Sequence, residues 1–254
     1  MSVVRDLIRF MGGTAILTKQ VISEGLRPPL YLRLITEQIQ SIGLMSLPLV
    51  LITALSTGMV MALQFGLGLE KFGGKMYVPK IVSLSIIREL GPVFTSLMMA
   101  ARVGAGITSE LGSMKVTQQI DAIRALGTSP IKKIVIPRVI ACIICVPLLA
   151  AIANLVGIGG GLLVGWSELN LTPAFYWQKV LETITLVDYM SGMGKTFFFA
   201  LFIALPACYF GLNVSGGTRG VGVATTTSVV TASILILVGD YFLTKAFWII
   251  EQWL

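Results

Sequence analysis

The sequence contains no histidine, and only 12% of its 254 residues are charged. Without histidine, a Ser–His dyad and a histidine-based metal site are both impossible. Soluble domains usually have about a quarter of their residues charged. Here 55% of the residues are hydrophobic and the mean hydropathy is +0.88. This composition argues against a soluble chain and indicates a membrane protein.

Charged residues are also absent from three long runs. These runs lie between Glu37 and Glu70, between Arg138 and Glu168, and between Arg219 and Asp240. Crossing a bilayer takes about 20 mostly apolar residues, so each run can hold a spanning helix. A net charge of +7 would suit nucleic acid in a soluble chain. In a membrane protein basic residues mark cytoplasmic loops, so we expect no nucleic-acid partner.

We predict an all-α membrane protein with about five transmembrane helices. Residues 1–26 form an N-terminal interfacial amphipathic helix, and a transmembrane domain covers residues 27–254. In the first helix an apolar face faces the bilayer, and the segment Arg27-Pro28-Pro29 ends it. That face consists of Val4, Leu7, Ile8, Met11 and Ala15. The predicted spans are Ile42–Phe65, Ile81–Thr108, Val139–Val164, Gly194–Val214 and Val221–Phe242.

The distribution of Lys and Arg predicts the orientation. Residues 1–33 and 109–138 carry five each, whereas the connector 166–189 has only Lys179 against three acidic residues. The positive-inside rule then places the N-terminus in the cytoplasm and the C-terminus outside. The loop 66–80 has three lysines and argues the other way, but two strongly basic segments outweigh it.

Three possible chemical sites receive little support. Cys142 and Cys145 lie in a charge-free run, where packing is the expected role. The segment Gly194-Lys195-Thr196 resembles the end of a phosphate-binding loop, but residue 189 is tyrosine instead of glycine. Asp240 is the single aspartate inside a predicted span, so a paired-aspartate protease is not indicated. Any ATP must therefore be hydrolysed by another chain.

The second span is unusual because it contains Arg88, Glu89 and Arg102, with Glu110 just beyond it. Charges inside a span are costly and mark functional or paired positions. At about 100° per residue a polar stripe follows one face, comprising Arg88, Thr95, Met99, Arg102, Gly106 and Glu110. Arg88 and Glu89 are adjacent and cannot pair with each other, so each needs a partner on another helix. Pro92 follows them and can kink the helix.

Two interpretations of these charges remain open. Arg102 and Glu110 are expected to be intramembrane structural charges held in ion pairs. Arg88 and Glu89, beside the proline, are expected to line a substrate path. After this span, Met114 to Gly127 has apolar residues at helical spacing and predicts a short cytoplasmic helix. This helix either docks a soluble partner or rests on the bilayer surface.

Longer motifs are spread along the chain, within a match that runs from about Arg27 to the fifth span and covers most of the chain. They read RELGPVFTSLMMAARVG from Arg88, VTQQIDAIRALG from Val116, IPRV from Ile136 and GTRGVGVATTTSVV from Gly217. Together they closely resemble the MlaE/YrbE family of ABC-transporter permeases. The resemblance implies a permease that moves phospholipid between the inner and outer membranes of a bacterium. It also implies a multi-pass inner-membrane location with the C-terminus in the periplasm.

The resemblance further implies a set of partners and site residues. We expect a homodimer, cytoplasmic ATPase subunits, a possible STAS-domain subunit and periplasmic MCE-domain proteins. This chain itself would bind no cofactor, because the partner uses ATP and Mg²⁺. The lipid cavity would be lined by Arg88, Glu89, Gln64, Leu67, Thr227 and Thr231. The ATPase-coupling helix would include Val116, Gln118, Gln119, Ile120, Asp121, Ile123 and Arg124.

The sequence departs from the family pattern in the presumed ATPase-facing segment. Gln118 stands where an acidic residue is common in the family. Residues 127–130 read G-T-S-P where G-x-D-P is frequent, so Ser129 takes the place of the aspartate. Two other classes of function remain as alternatives. A self-sufficient secondary transporter would use Glu89 and Asp240 for ion coupling, but no convincing inverted repeat is found. A non-transporting scaffold would tolerate neutralisation of Arg88 and Glu89.

Overall fold

The structure is a computed structural model that describes residues 2–26, 28 and 31–253. Within these residues the chain forms helices and no strands, as predicted for an all-α protein. Five helical segments are long and apolar enough to cross a membrane, which agrees with the predicted number of spans. The first three helices are α1 (Ser2–Gly25), α2 (Leu32–Ile42) and α3 (Leu47–Glu70).

The rest of the described chain continues in six further helices. A π turn, Ile131–Val135, leads directly into the third span. A short helix also lies in the connector between the third and fourth spans. The six helices are α4 (Lys75–Val116), α5 (Gln119–Ala125), α6 (Ile136–Ser167), α7 (Pro173–Thr183), α8 (Leu186–Leu212) and α9 (Gly217–Trp253).

Helix α1 exposes much of its predicted apolar face. Ile8 and Met11 are 64% and 62% exposed, and Ala15 is also exposed. The side chains of Val4 and Leu7, like Arg27 and Pro29, lie outside the described residues. The helix itself ends at Gly25. Exposed apolar side chains on a helix before the first span favour a location in the membrane interface.

The predicted span boundaries were wrong by several residues, because capping was not recognised. The first span begins at Leu47 instead of Ile42, since Gly43 follows α2 and Pro48 fits the first turn of the next helix. The fourth span begins at Leu186 instead of Gly194. The fifth is much longer than predicted and continues to Trp253, because Asp240 and Glu251 are held in ion pairs within unit 2 and do not end the helix.

Two π turns, Ile86–Leu90 and Ala100–Gly104, interrupt the second span. A π turn adds a residue to a helical turn and shifts the register of all that follows. In the predicted polar stripe, Thr95 and Met99 are buried, whereas Gly106, beyond the second π turn, is exposed. An even spacing of 100° therefore does not describe this helix as a whole.

The chain divides into two compact units. Unit 1 has twelve Lys or Arg against five Asp or Glu, a net charge of +7, whereas unit 2 has seven of each and a net charge of 0. All four tryptophans belong to unit 2. Unit 1 comprises Met1–Met45, Met99–Cys145 and Ala200–Ile236, and unit 2 comprises Ser46–Met98, Val146–Phe199 and Leu237–Leu254.

Glycines on α6 bring helices close together within unit 2. A Cβ on Gly160 would collide with the backbone of Leu55, and one on Gly165 would meet the ring of Tyr176. Small residues permit such close helix packing in lipid. Burial raises the pKa of Tyr176, because the ionised phenol would lose its hydration. The glycine-rich end of the third span thus serves packing within the chain.

Candidate functional site

Arg88 makes two ion pairs within unit 2. It lies on the first π turn of α4, and its side chain is 30% exposed. Its Nη1 donates to Asp188 Oδ1 at 2.8 Å, and its Nη2 donates to Glu251 Oε2, also at 2.8 Å. Asp188 belongs to the first turn of α8 and Glu251 to the last turn of α9. One guanidinium therefore joins three helices.

Asp188 is held in place by the start of its own helix. Its Oδ2 accepts hydrogen bonds from the backbone N–H and the hydroxyl of Thr185, at 3.0 and 2.6 Å. In return, its backbone N–H donates to Thr185 Oγ1 at 3.2 Å. This is the reciprocal arrangement of a capping box. It leaves Oδ1 available for Arg88 and fixes the direction from which the guanidinium is bound.

Lys195 is the centre of a second group of contacts. Its side chain is 1% exposed, although α8 carries it inside an apolar span. Its Nζ lies 2.6 Å from Glu89 Oε2, 3.2 Å from Asp240 Oδ1 and 2.6 Å from Thr244 Oγ1. It also lies 3.1 Å from the carbonyl oxygen of Arg88. A buried ammonium requires partners of this kind.

Pro92 explains the backbone partner of Lys195. In a regular helix the carbonyl of Arg88 would accept from the N–H of residue 92, but proline has no N–H. The adjacent π turn ends with a hydrogen bond from Gly91 N–H to Ile86 O. The carbonyl of Arg88 thus lacks its regular i+4 donor, and the Lys195 ammonium binds it.

These groups form the charged cluster, a set of six ionisable side chains in unit 2. Two cations face four carboxyl groups, so acidic groups are in excess by two. Arg88, Glu89 and Glu251 are partly exposed, whereas Lys195 and Asp188 are nearly buried. One side of the cluster is therefore buried, and the other side is an accessible edge. Its members are Arg88, Glu89, Asp188, Lys195, Asp240 and Glu251.

Sequence reasoning predicted that Arg88 and Glu89 have partners on other helices, and the ion pairs confirm this. It did not identify Lys195, Asp188, Thr244 or Glu251 as those partners. Lys195 was considered only as part of a phosphate-binding loop. Helical spacing held a usable signal, because Asp188 and Lys195 are two turns apart on one face of α8. Asp240, Thr244 and Glu251 share one face of α9 in the same way.

The other predicted cavity residues do not join the described contacts of the charged cluster. Gln64 and Leu67 are exposed on α3, in unit 2. Thr227 is exposed and Thr231 half-buried on α9, in unit 1. The hydroxyl of Thr227 donates to Val223 O at 2.8 Å. The predicted role of these four residues in a lipid cavity stays a prediction.

Glu110 and Arg102 lie on the part of α4 that belongs to unit 1. Glu110 Oε1 is 2.8 Å from Arg138 Nη2, and Arg138 is buried. Arg138 also donates from Nη1 to Ile134 O at 2.7 Å. Arg102 is half-buried and takes part in an interaction within the protein. Both residues line a cavity next to α2.

The predicted coupling helix is shorter than the segment 114–127. Helix α4 continues to Val116, and a turn follows in which Gln118 has a φ of 59°. The left-handed conformation at Gln118 prevents one continuous helix from forming. Val116 thus ends the second span and is 38% exposed. The separate helix is α5.

Within α5 the predicted residues have different surroundings. Ile120 is 2% exposed and packs inside unit 1. Asp121 pairs with Lys115 at 3.0 Å and lies 3.9 Å from Arg124. Gln119 and Arg124 are exposed, and Ile123 is half-buried. The predicted apolar face is therefore used partly for packing within the chain.

The other motifs singled out in the sequence lie within helices. Gly194, Lys195 and Thr196 lie inside α8, so they form no phosphate-binding loop. The three cysteines are buried and unbridged. Within the described residues no group of three His, Cys, Asp or Glu is arranged to hold a metal ion. The arrangement can therefore bind polar groups and join helices.

Comparison with known proteins places these features in a family. A family model described as "Permease MlaE" matches residues 35–246. A probable ABC transporter permease protein of Rickettsia conorii is 42% identical over 237 residues, covering 93% of this chain and 92% of its own. One from a Synechocystis strain is 36% identical, covering 93% and 89%. A Haemophilus influenzae protein named "Intermembrane phospholipid transport system permease protein MlaE" is 33% identical, covering 83% and 81%.

Proposed function

Because the chain belongs to the MlaE permease family of ABC transporters, we propose that it moves phospholipids between the inner and outer membranes of a bacterium. The name of the Haemophilus relative supports phospholipid as the substrate. The charged cluster is the observation in the structure that supports it best. Its accessible edge offers Arg88 and two carboxyl groups to a polar headgroup, while the exposed faces of α3 and α9 offer apolar surface to acyl chains.

In this proposal ATP is hydrolysed by separate cytoplasmic subunits that bind at α5. Leu126 follows α5 directly and is 82% exposed, so it offers an apolar contact to a partner. The basic character of unit 1 supports a cytoplasmic location for this region. Further contacts to the ATPase around Leu126 would come from Val116, Gln118, Gln119, Asp121 and Arg124.

The same charge distribution supports the proposed orientation in the inner membrane. Residues 1–33 and 109–138, which belong to unit 1 and include α1 and α5, carry five Lys or Arg each. The connector 166–189, which belongs to unit 2 and includes α7, carries only Lys179. Positive loops stay in the cytoplasm, so we infer a cytoplasmic N-terminus and a periplasmic C-terminus.

We further propose a homodimer that binds periplasmic MCE-domain proteins and, in some assemblies, a STAS-domain subunit. The most apolar windows of the first and fifth spans are each only 17% buried, against 44–56% for the other three. These two spans therefore have surface available for a second copy and for lipid. Gln64, Leu67, Thr227 and Thr231 all lie on them.

The test is to purify the protein together with the products of its neighbouring genes and reconstitute it in liposomes. We expect a copurifying ATPase, bound phospholipid and lipid transfer to an acceptor that depends on ATP. Inactivating the phosphate-binding loop of the partner ATPase should stop transfer. Lipid transfer by the isolated chain without ATP would contradict the proposal.

The secondary-transporter alternative has one supporting observation. Glu89 and Asp240 share the buried Lys195, and such a group of carboxylates and a cation can exchange protons. An uncoupler that collapses the proton gradient separates the two mechanisms. Transfer that persists with ATP and without a gradient supports the ABC mechanism, whereas transfer that stops supports ion coupling.

A further inference from the structure

A polar cavity lies in unit 1, between α2 and the last third of α4. Its volume is about 300 Å³. The polar side chains in its wall are Gln38 and Ser41 from α2, and Arg102 and Glu110 from α4. Ile42, Val103 and Ile107 form the apolar part. Charged, amide and hydroxyl groups thus line an open cavity, at which Ser41, Gly106 and Glu110 are exposed.

The position of this cavity along the helices corresponds to a membrane interface. Helix α3 has 24 residues, which at about 1.5 Å per residue is enough to cross a hydrocarbon core of about 30 Å by itself. Ser41 precedes α3 and so lies at the end of the core. Immediately before Gln38, Glu37 forms an ion pair with Arg33 in which both side chains are exposed. Phospholipid headgroups occupy this depth.

The wall has the chemistry of an anion site. The guanidinium of Arg102 has five N–H donors in a planar fork, so it can bind a ligand in addition to its interaction within the protein. Gln38 and Ser41 add an amide and a hydroxyl donor. The carboxylate of Glu110 also lines the space, but the Arg138 guanidinium is 2.8 Å from it. Counting Arg138, the cavity has a net charge of +1.

We propose that this cavity, the Arg102 cavity, binds the phosphate group of a membrane phospholipid. Polar walls beside hydrocarbon need polar partners, and a guanidinium fork matches the oxygens of a phosphate. The site is separate from the charged cluster, which lies in unit 2. It deepens the proposed function, because it gives a transported lipid a binding position in the leaflet next to the basic unit.

Gly106 allows a direct test because it lines the cavity, and a Cβ added there would meet nothing within 4 Å. Gly106→Leu therefore meets no clash at its Cβ and adds an apolar side chain at the cavity wall. Gly159 on α6 is a matched control, since a Cβ there also meets nothing within 4 Å and this residue lines no described cavity. The charge is tested with Arg102→Gln and its conservative counterpart Arg102→Lys.

The experiment uses the full-length protein in nanodiscs of phosphatidylethanolamine and phosphatidylglycerol. A trace of phosphatidylglycerol carries a diazirine in the acyl chain close to the glycerol. After irradiation, mass spectrometry quantifies lipid adducts on residues 38–42 and 102–110. We expect a loss of about tenfold in Arg102→Gln, since a hydrogen-bonded charge is removed. The loss should be similar in Gly106→Leu, with adducts retained in Arg102→Lys and Gly159→Leu.

Three results would overturn the proposal. These are unchanged adducts in both Arg102→Gln and Gly106→Leu, an equal loss in Gly159→Leu, and displacement of the lipid adduct by inorganic phosphate. The third result would assign the cavity to a free anion instead of a lipid. The measurement needs no ATP or transport, so adducts at this cavity would support the site even if the proposed ATP-driven function failed.

Discussion

The Lys195 ammonium lies 3.1 Å from the carbonyl oxygen of Arg88, the acceptor whose regular i+4 donor is missing because residue 92 is proline. A proline on one span thus creates a binding position for a lysine on another. The same ammonium contacts Glu89 and Asp240. One buried cation therefore binds both a backbone carbonyl and a carboxylate of the second span.

Replacing Lys195 by methionine should destabilise the protein strongly. The side chain is 1% exposed, and its loss leaves Glu89 and Asp240 near each other without a cation. Removing one partner of a buried ion pair costs about 3–5 kcal/mol. Thermal unfolding in detergent should show a clearly lower Tm for Lys195→Met. The control is Lys179→Met, at an exposed pair on α7, where no measurable change is expected.

A rescue variant separates charge from packing. Adding Glu89→Gln and Asp240→Asn to Lys195→Met removes the uncompensated carboxylates, so much of the lost stability should return. If the triple variant is as unstable as the single one, the buried charge is not the cause of the loss.

Replacing Arg88 should affect transport more than stability. Glu251 is 34% exposed and can be hydrated, and Asp188 keeps its bonds to Thr185. Arg88→Gln is therefore expected to cost about 1–3 kcal/mol, less than Lys195→Met. In the proposed function it also removes the headgroup-facing cation, so lipid transfer should fall several-fold. Arg88→Lys should keep part of the transfer. Equal losses of Tm in Arg88→Gln and Lys195→Met would contradict this order.

How far the sequence predicts this site depends on the kind of contact. The five spans follow from hydropathy, because lipid requires long apolar helices. The need for partners at Arg88 and Glu89 follows from their adjacency on one helix. The identity of those partners does not, because it depends on how α8 and α9 pack and on two π turns that no local pattern revealed. Lys195 was not recognised as a partner, because it was considered only as part of a segment that resembles the end of a phosphate-binding loop.

The same reasoning explains the errors at α5. The periodicity of Val116, Ile120 and Ile123 predicted one helix, but Gln118 adopts a left-handed conformation and separates Val116 from the other two. An apolar stripe does not reveal whether its residues face a partner or the protein's own core. Here Ile120 is buried within unit 1, so its periodicity reflects packing within the chain.

Close helix packing predicts that Gly58 tolerates no side chain. A Cβ at Gly58 would collide with the backbone of Gly157, and backbone atoms cannot move aside as a side-chain end can. Gly58→Ala should cost about 1–3 kcal/mol by overpacking. Gly159→Ala, where a Cβ meets nothing within 4 Å, should be neutral or slightly stabilising, because alanine favours helix. The Tm of the two variants in detergent measures the difference, and equal values would contradict the packing.

The proposed orientation can be tested with single cysteines. The three native cysteines are buried, so a membrane-impermeant maleimide should label the wild-type protein only weakly in intact cells. Leu126 and Leu186 are 82% and 73% exposed, and they lie in the basic and the neutral unit respectively. Because basic segments stay in the cytoplasm, Leu186→Cys should be labelled in cells with a permeable outer membrane. Leu126→Cys should be labelled only after the inner membrane is opened, and the reverse pattern would invert the orientation.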